Sequence, residues 1–159
     1  MAADVKVTPK CSLDSNDCVT LQNILISFNA PITEQHAWAL CHQCAKCFKN
    51  AIEIDRERCR VVSKLDHILI HREGQVHFNT VLVQGGSSDI DSPRKPFSSE
   101  HKLVSYLGIV IFRALDFGLS EEEERHLSPD LERLIDMMTA AGEFEHHFLS
   151  FFLLLRTRL

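Results

Sequence analysis

The stretch from residue 101 to residue 139 constrains the fold more than any other part of this 159-residue chain. It opens with a helical run that has almost no polar position, and a helix that is apolar all round is buried in a core. An acidic turn follows, and then a second helix with one apolar face begins at Ser128 and Pro129, which suit an N-cap and a first helical position. The sequence therefore predicts a buried central helix and a partner helix. The apolar residues of the first helix are Leu103, Val104, Tyr106, Leu107, Ile109, Val110, Ile111, Phe112, Ala114 and Leu115.

Acidic residues are dense between positions 116 and 136, where eight acids stand beside only two strong bases, Arg125 and Arg133. One interpretation is a solvated cluster that the dipole of a helix N-terminus stabilises. The other is a surface for a basic partner, because such a partner would neutralise the mutual repulsion of the acids. Composition alone leaves both open. The eight acids are Asp116, Glu121, Glu122, Glu123, Glu124, Asp130, Glu132 and Asp136.

Length and composition predict one globular domain, with 45% hydrophobic residues and a formal charge of −5. The negative charge argues against a nucleic-acid binder. The N-terminus is polar and carries no secretory signal, so the six cysteines are expected to be reduced thiols in the cytoplasm. Residues 148–155 hold seven large apolar residues in eight, which is far fewer than the ~20 that span a bilayer. We therefore expect no transmembrane segment.

Along the chain, residues 1–18 are predicted to be a disordered leader. Thr20 is expected to cap a short helix, LQNILISF, and Thr33 to cap a long helix from Glu34 to about Ile54, in which apolar residues recur at helical spacing.

Residues 68–78 then alternate between apolar and polar side chains around Arg72-Glu73-Gly74-Gln75, which predicts a β-hairpin. His67, His71 and His77 occupy the alternate positions and are expected to face solvent. The chain is thus predicted to be mainly α-helical with a small β-hairpin.

Four cysteines raise the alternative of a metal-binding or redox protein. Cys41, Cys44 and Cys47 are spaced three residues apart, and Cys59 could be a fourth ligand. Zinc sites usually place such pairs in turns, whereas these three lie within a predicted helix. The favoured interpretation is that they are buried and act as small hydrophobic residues.

Asp116-Phe117-Gly118 spells the metal-binding triplet of protein kinases. The triplet follows a predicted helix, and no Gly-rich loop, strand lysine or H-R-D catalytic loop precedes it. The nine histidines are dispersed, and no hydrolase or P-loop pattern is present. We therefore predict a non-catalytic protein without a cofactor.

Two long motifs resemble a known family. SYLGIVIFRALDFGLSEEEERHLSPDLERLIDMM and LQNILISFNAPITEQHAWALCHQCAKC are similar, in register, to the KIND domain of Spir-family actin nucleation factors. The resemblance covers residues 19–139. It implies the fold of the helical C-terminal lobe of a protein kinase without the catalytic machinery.

The resemblance also implies a function. A Spir KIND domain binds the basic C-terminal tail of an FMN-subfamily formin and so regulates actin filament nucleation and vesicle transport. Such a protein is cytoplasmic and associated with the cytoskeleton, and this chain, without a WH2 repeat, would meet actin only indirectly. The tail-binding residues carried over by position are Asp116, Phe117, Glu121, Glu122, Glu123, Glu124, Asp130 and Asp136.

The C-terminal segment, residues 140–159, is unlike the family, and the membrane-targeting zinc finger of full Spir proteins is not in this sequence. We therefore expect a KIND-like domain that is incomplete at its C-terminal side, as in a truncated or alternatively ended form. The alternative function is that of a truncated regulatory isoform that cannot bind formin.

Overall fold

A computed structural model describes residues 12–82, 94–96, 99–120 and 126–139. Within these residues four α-helices carry most of the fold, together with two short strands and three 3₁₀ turns at Arg56–Arg58, Leu65–His67 and Phe78–Thr80. The mainly helical class predicted from the sequence is confirmed. The helices and strands, in chain order, are β1 (Cys18–Thr20), α1 (Leu21–Phe28), α2 (Glu34–Asp55), β2 (Leu69–His71), α3 (Glu100–Leu115) and α4 (Pro129–Thr139).

Hydroxyl caps begin all four helices. In each case the side-chain oxygen accepts the backbone N–H three residues further on, at 3.1 Å for Thr20, 3.1 Å for Thr33, 3.2 Å for Ser99 and 3.3 Å for Ser128. A cap of this kind stabilises a helix by about 1 kcal/mol. The helix starts predicted at Thr20, Thr33 and Ser128 are thus confirmed.

The two strands form an antiparallel pair in which Cys18 faces His71 and Thr20 faces Leu69. Cys18 is buried in this pair, although it was predicted to be the last residue of the leader. The predicted hairpin is present in a shortened form, because Ile70 bridges Val76 on the other edge of β2. Beyond Val76 the chain turns into a 3₁₀ helix at Phe78 instead of continuing as a strand.

The histidines of this region are half-buried, so the expectation that they face solvent holds only in part. The reason is local hydrogen bonding. The Nδ1 atoms of His67, His71 and His77 accept backbone N–H groups at 3.1, 3.2 and 3.1 Å, which turns each ring back against its own loop.

The core lies between α2, α3 and α4, and α3 packs most extensively on α4. Gly108 is the point of closest approach: a Cβ on it would lie 2.8 Å from Cγ2 of Thr139 and 3.0 Å from Cβ of Met138. The two helices therefore meet at a distance that only a glycine allows.

The central helix is not buried all round, which corrects the prediction from its composition. Leu103, Leu107 and Ile111 are fully buried, but Ile109 and Phe112 are 39% and 41% exposed. The helices packed on α3 cover one side of it, and these two residues project from the other side. None of the helices in the described ranges is both long enough and apolar enough to cross a bilayer.

Candidate protein-interaction surface

Two chain connections meet at the C-terminal end of α3, the loop between α1 and α2 and the turn that follows α3. The backbone N–H of Ile32, in the loop between α1 and α2, donates to the carbonyl oxygen of Ala114 at 3.1 Å. The turn after α3 reaches the end of α1, because a Cβ on Gly118 would lie 3.8 Å from the carbonyl oxygen of Asn29. Asn29 and Gly118 have φ angles of 49° and 79°. The left-handed Asn29 is the C-cap that ends α1, and Gly118 lies in the turn after α3.

The start of α4 is fastened to the start of α2. The backbone N–H of Ser128 donates to Oε1 of Glu34 at 3.1 Å, so residues 94 positions apart in the sequence are held together. The half-buried Leu127 packs against the core beside this bond. The position at which α4 begins is therefore fixed relative to the helix starts and ends around it.

Asp116 and Phe117 lie directly after α3, in different environments. Asp116 is exposed, and its backbone N–H bonds the carbonyl oxygens of Phe112 and Arg113 at 3.1 and 3.2 Å. A carboxylate at a helix C-terminus lies near the negative end of the helix dipole, which is unfavourable by about 0.3–1 kcal/mol. Phe117 is half-buried and packs against the core. The predicted acidic residue is thus presented to solvent beside a partly exposed aromatic ring.

The remaining predicted acids divide into two sets. Glu121, Glu122, Glu123 and Glu124 lie outside the described residues. Asp130 and Asp136 are both exposed on α4, but six residues of helix separate them by about 9 Å along the axis and about 120° around it. Asp130 therefore belongs to the end where α4 begins, whereas Asp136 points in another direction.

Two residues missed by sequence reasoning complete this surface. Ile109, Phe112 and Asp116 follow one another at spacings of three and four residues, so they share the solvent face of α3. We call Ile109, Phe112, Asp116 and Phe117 the α3 terminal surface. Hydropathy could not have predicted that Ile109 and Phe112 are exposed, because apolar residues in an apolar helix are expected to lie in the core. Phe28, 75% exposed at the end of α1, enlarges the apolar area at this end of the molecule.

Comparison with known proteins decides the family. Residues 19–148 match the family described as "Kinase non-catalytic C-lobe domain" (KIND). This chain belongs to the KIND family.

Its relatives are Spire proteins. The KIND chain is 37% identical over 133 residues to protein spire homolog 2 of Danio rerio, covering 80% of this chain and 21% of that protein. It is 36% identical over 138 residues to protein spire homolog 1 of Danio rerio, covering 83% and 17%. It is 38% identical over 120 residues to protein spire homolog 2 of Mus musculus, covering 76% and 16%. The chain thus spans about a fifth or less of the length of these relatives. The family match and these identities together make it a KIND domain of the Spire type.

The match ends at residue 148, nine residues beyond the end of the resemblance at Thr139. The family description also agrees with the prediction of a non-catalytic module. Asp116 of the kinase-like triplet is the C-cap of α3, as expected for a helix end.

The cysteines of the KIND domain are buried thiols. Burial raises the pKa of Cys41 to about 12, and burial together with the neighbouring Cys59 raises the pKa of Cys47 to about 12. Burial also raises the pKa values of Cys44 and Cys59. A cysteine binds a metal ion as the thiolate, and these buried environments disfavour the thiolate form.

Hydrogen bonds also indicate that these cysteines are protonated thiols. The Sγ of Cys47 donates to the carbonyl oxygen of His77 at 3.5 Å, and that of Cys59 to the carbonyl oxygen of Asp55 at 3.4 Å. In the part of the chain that the structure describes, no three histidine, cysteine or acidic residues are grouped so that they could hold a metal ion. The metal-binding alternative therefore gains no support there.

Proposed function

We propose that this KIND domain is the non-catalytic interaction module of a Spir-type actin nucleation factor and that it binds the basic C-terminal tail of an FMN-subfamily formin. It would act in the cytoplasm, in association with the cytoskeleton, to regulate actin filament nucleation and vesicle transport. Actin itself would be reached only through the partner. The tail would lie across the α3 terminal surface, with Glu121, Glu122, Glu123, Glu124 and Asp130 beside it.

The observation that carries the proposal is the exposed apolar stripe of α3, which ends in an acidic residue. Ile109 and Phe112 are about two-fifths exposed and stand on the same helix face as the carboxylate of Asp116. An apolar patch with a charged rim is typical of a protein-interaction site. The acids that follow in sequence would then extend the rim.

Charge and apolar contact would have different tasks in this interaction. Exposed ion pairs contribute only about 0.2–1 kcal/mol each, whereas a buried aromatic or aliphatic anchor contributes about 2 kcal/mol or more. The acids would therefore govern how fast a basic tail arrives and how strongly salt slows it. Phe112 and Phe117 would govern how long the tail stays.

Charge reversal tests the proposal. The double variant Glu122→Lys with Glu123→Lys is expected to weaken binding of a basic formin-tail peptide by about tenfold, which corresponds to about 1.4 kcal/mol. Repulsion of the incoming peptide would lower the association rate constant more than it raises the dissociation rate constant. Both constants are measured by biolayer interferometry on the full chain.

The matched control carries the same change in net charge at a distant place. Glu53 and Glu57 are exposed near the C-terminal end of α2, and Glu53→Lys with Glu57→Lys should leave the affinity nearly unchanged. Circular dichroism confirms that each variant is folded. Equal weakening by both variants, or no binding by the unmodified chain, would contradict the proposal.

A further inference from the structure

A groove runs along one side of α2, and its apolar end reaches the loop between α1 and α2 that contacts the C-terminal end of α3. It consists of two adjoining depressions that share Gln43 and Val76. One end, about 250 Å³, is apolar and is lined chiefly by Leu21, Ile24, Ile32, Leu40 and Ile70. The other end, about 510 Å³, is polar and is lined by groups that include Lys46, Asn50, His71, Glu73 and His77.

One continuous stripe of α2 forms a wall of this groove. The residues from α2 recur at helical spacing from His36 to Asn50, so they extend over about 21 Å of helix. The opposite wall comes from α1, β2 and the turn after β2. The Sγ of Cys47 donates to the carbonyl oxygen of His77 and ties the two walls together. The groove is therefore long enough for a short chain segment.

The polar end presents donors and an acceptor. His71 and His77 both accept a backbone N–H at Nδ1, which leaves hydrogen at Nε2. Lys46 and Glu73 are exposed there and add an ammonium group and a carboxylate. A segment that fits the whole groove would thus combine a polar part with an apolar part.

We propose that the occupant of this groove is the C-terminal segment of the same chain. Residues 143–147, EFEHH, are mainly polar and precede an apolar run, residues 148–155, in which seven of eight side chains are large and apolar. This composition matches a groove with a polar end and an apolar end. The family match ends at residue 148, the first residue of the apolar run.

Chain length permits this contact. Nine residues lead from Thr139, at the end of α4, to Phe148, and they reach at most about 30 Å. That is comparable with the size of a domain whose radius of gyration is about 15 Å. A covalently attached segment acts at an effective concentration of about 1 mM or more, so modest apolar complementarity suffices. Docking would also remove a long apolar run from water.

Hydrogen–deuterium exchange on the full chain tests the inference. Amides of residues 148–155 are expected to exchange at least about tenfold more slowly than in an isolated peptide, as expected when local opening costs about 1.4 kcal/mol. Ala39 is exposed and lines the apolar end, so Ala39→Trp should fill the groove and abolish this protection. Lys49 is exposed on α2 and lines neither end, so Lys49→Trp is the matched control and should keep it.

Three results would overturn the inference: fast exchange of residues 148–155 in the unmodified chain, equal protection in the Ala39→Trp variant, or protection that rises with protein concentration. The last would mean that a second copy supplies the segment. Circular dichroism confirms the fold of both variants. The outcome is independent of formin-tail binding, which is measured separately.

Discussion

At the scale of single residues, burial decides what the cysteines of this domain can do. In sequence, Cys41, Cys44 and Cys47 resemble ligand spacing, yet each is at most 6% exposed in the structure. A thiol in an apolar environment holds its proton more tightly, because the thiolate would lose its hydration. The same residues that suggested metal chemistry therefore act as part of the core.

This burial predicts how stability depends on pH. The pKa of Cys41 is raised from 9.0 to about 12. Below pH 9 the thiol is protonated in both states, and the stability it contributes is fully present. Between pH 9 and 12 only the unfolded chain loses the proton, so the free energy of unfolding should fall by about 1.4 kcal/mol per pH unit for such a thiol.

Urea unfolding at pH 7, 9 and 10, in the presence of a reducing agent, measures this effect. The Cys41→Ala variant should be less stable at pH 7, because it leaves a small cavity, but it should lose less stability between pH 9 and 10 than the unmodified chain. Other groups that titrate in this range are common to both proteins and cancel in the comparison. Equal slopes would show that Cys41 ionises as easily when folded as when unfolded.

At the scale of elements, the contact between α3 and α4 rests on one glycine. Alanine is favoured over glycine inside a helix by about 1 kcal/mol, so Gly108→Ala would stabilise an isolated α3. In the folded domain the added Cβ would lie 2.8 Å from Cγ2 of Thr139. Overpacking of this kind costs about 1–3 kcal/mol. Because the gain in helix propensity offsets part of this cost, we expect Gly108→Ala to lower the free energy of unfolding by up to about 2 kcal/mol, as measured by urea denaturation.

A double-mutant cycle tests the assigned cause. Thr139→Ser removes Cγ2 while keeping the hydroxyl that donates to the carbonyl oxygen of Ile135 at 2.8 Å. In the Thr139→Ser background, Gly108→Ala should therefore cost less than it does alone. Additive effects of the two substitutions would mean that the close approach of α3 and α4 does not depend on this contact.

Helix starts could be predicted from the sequence, whereas strand pairing could not. The helix starts were predictable because the hydroxyl of an N-cap residue accepts a backbone N–H only three residues further along the chain. The pairing of β1 with β2 was not, because it joins Cys18 to His71 across the whole of α1 and α2. Strands of three residues also leave too short a pattern to recognise.

The α3 terminal surface was predictable only in part, because some of its residues are defined by local sequence and others by the packing of distant helices. Asp116 and Phe117 follow a visible helix end and could be placed from the sequence. Ile109 and Phe112 could not be, since an apolar residue on a helix reveals its exposure only when the packing of neighbouring helices is known. The family resemblance gave the candidate acids, and the packing of α3 added the apolar stripe beside them.

At the level of the whole molecule, α2 holds two ends of the domain apart. Its first residue, Glu34, lies at the end where α4 begins, whereas its last turn lies about 33 Å away along the helix axis. Acidic and basic side chains alternate at that far end, and Arg56 pairs with Glu100 at 3.0 Å. The control substitutions at Glu53 and Glu57 therefore lie far from the start of α4.

We propose that opposite charge brings a basic formin tail to the α3 terminal surface. The most direct test measures the affinity of the full chain for a basic formin-tail peptide at about 0.05 M and about 0.5 M salt, where screening lengths differ by about threefold. The claim predicts measurable binding at low salt, at least about tenfold weaker binding at high salt, and a change that lies mainly in the association rate constant. Absence of binding at low salt, or an affinity that does not depend on salt, would contradict it.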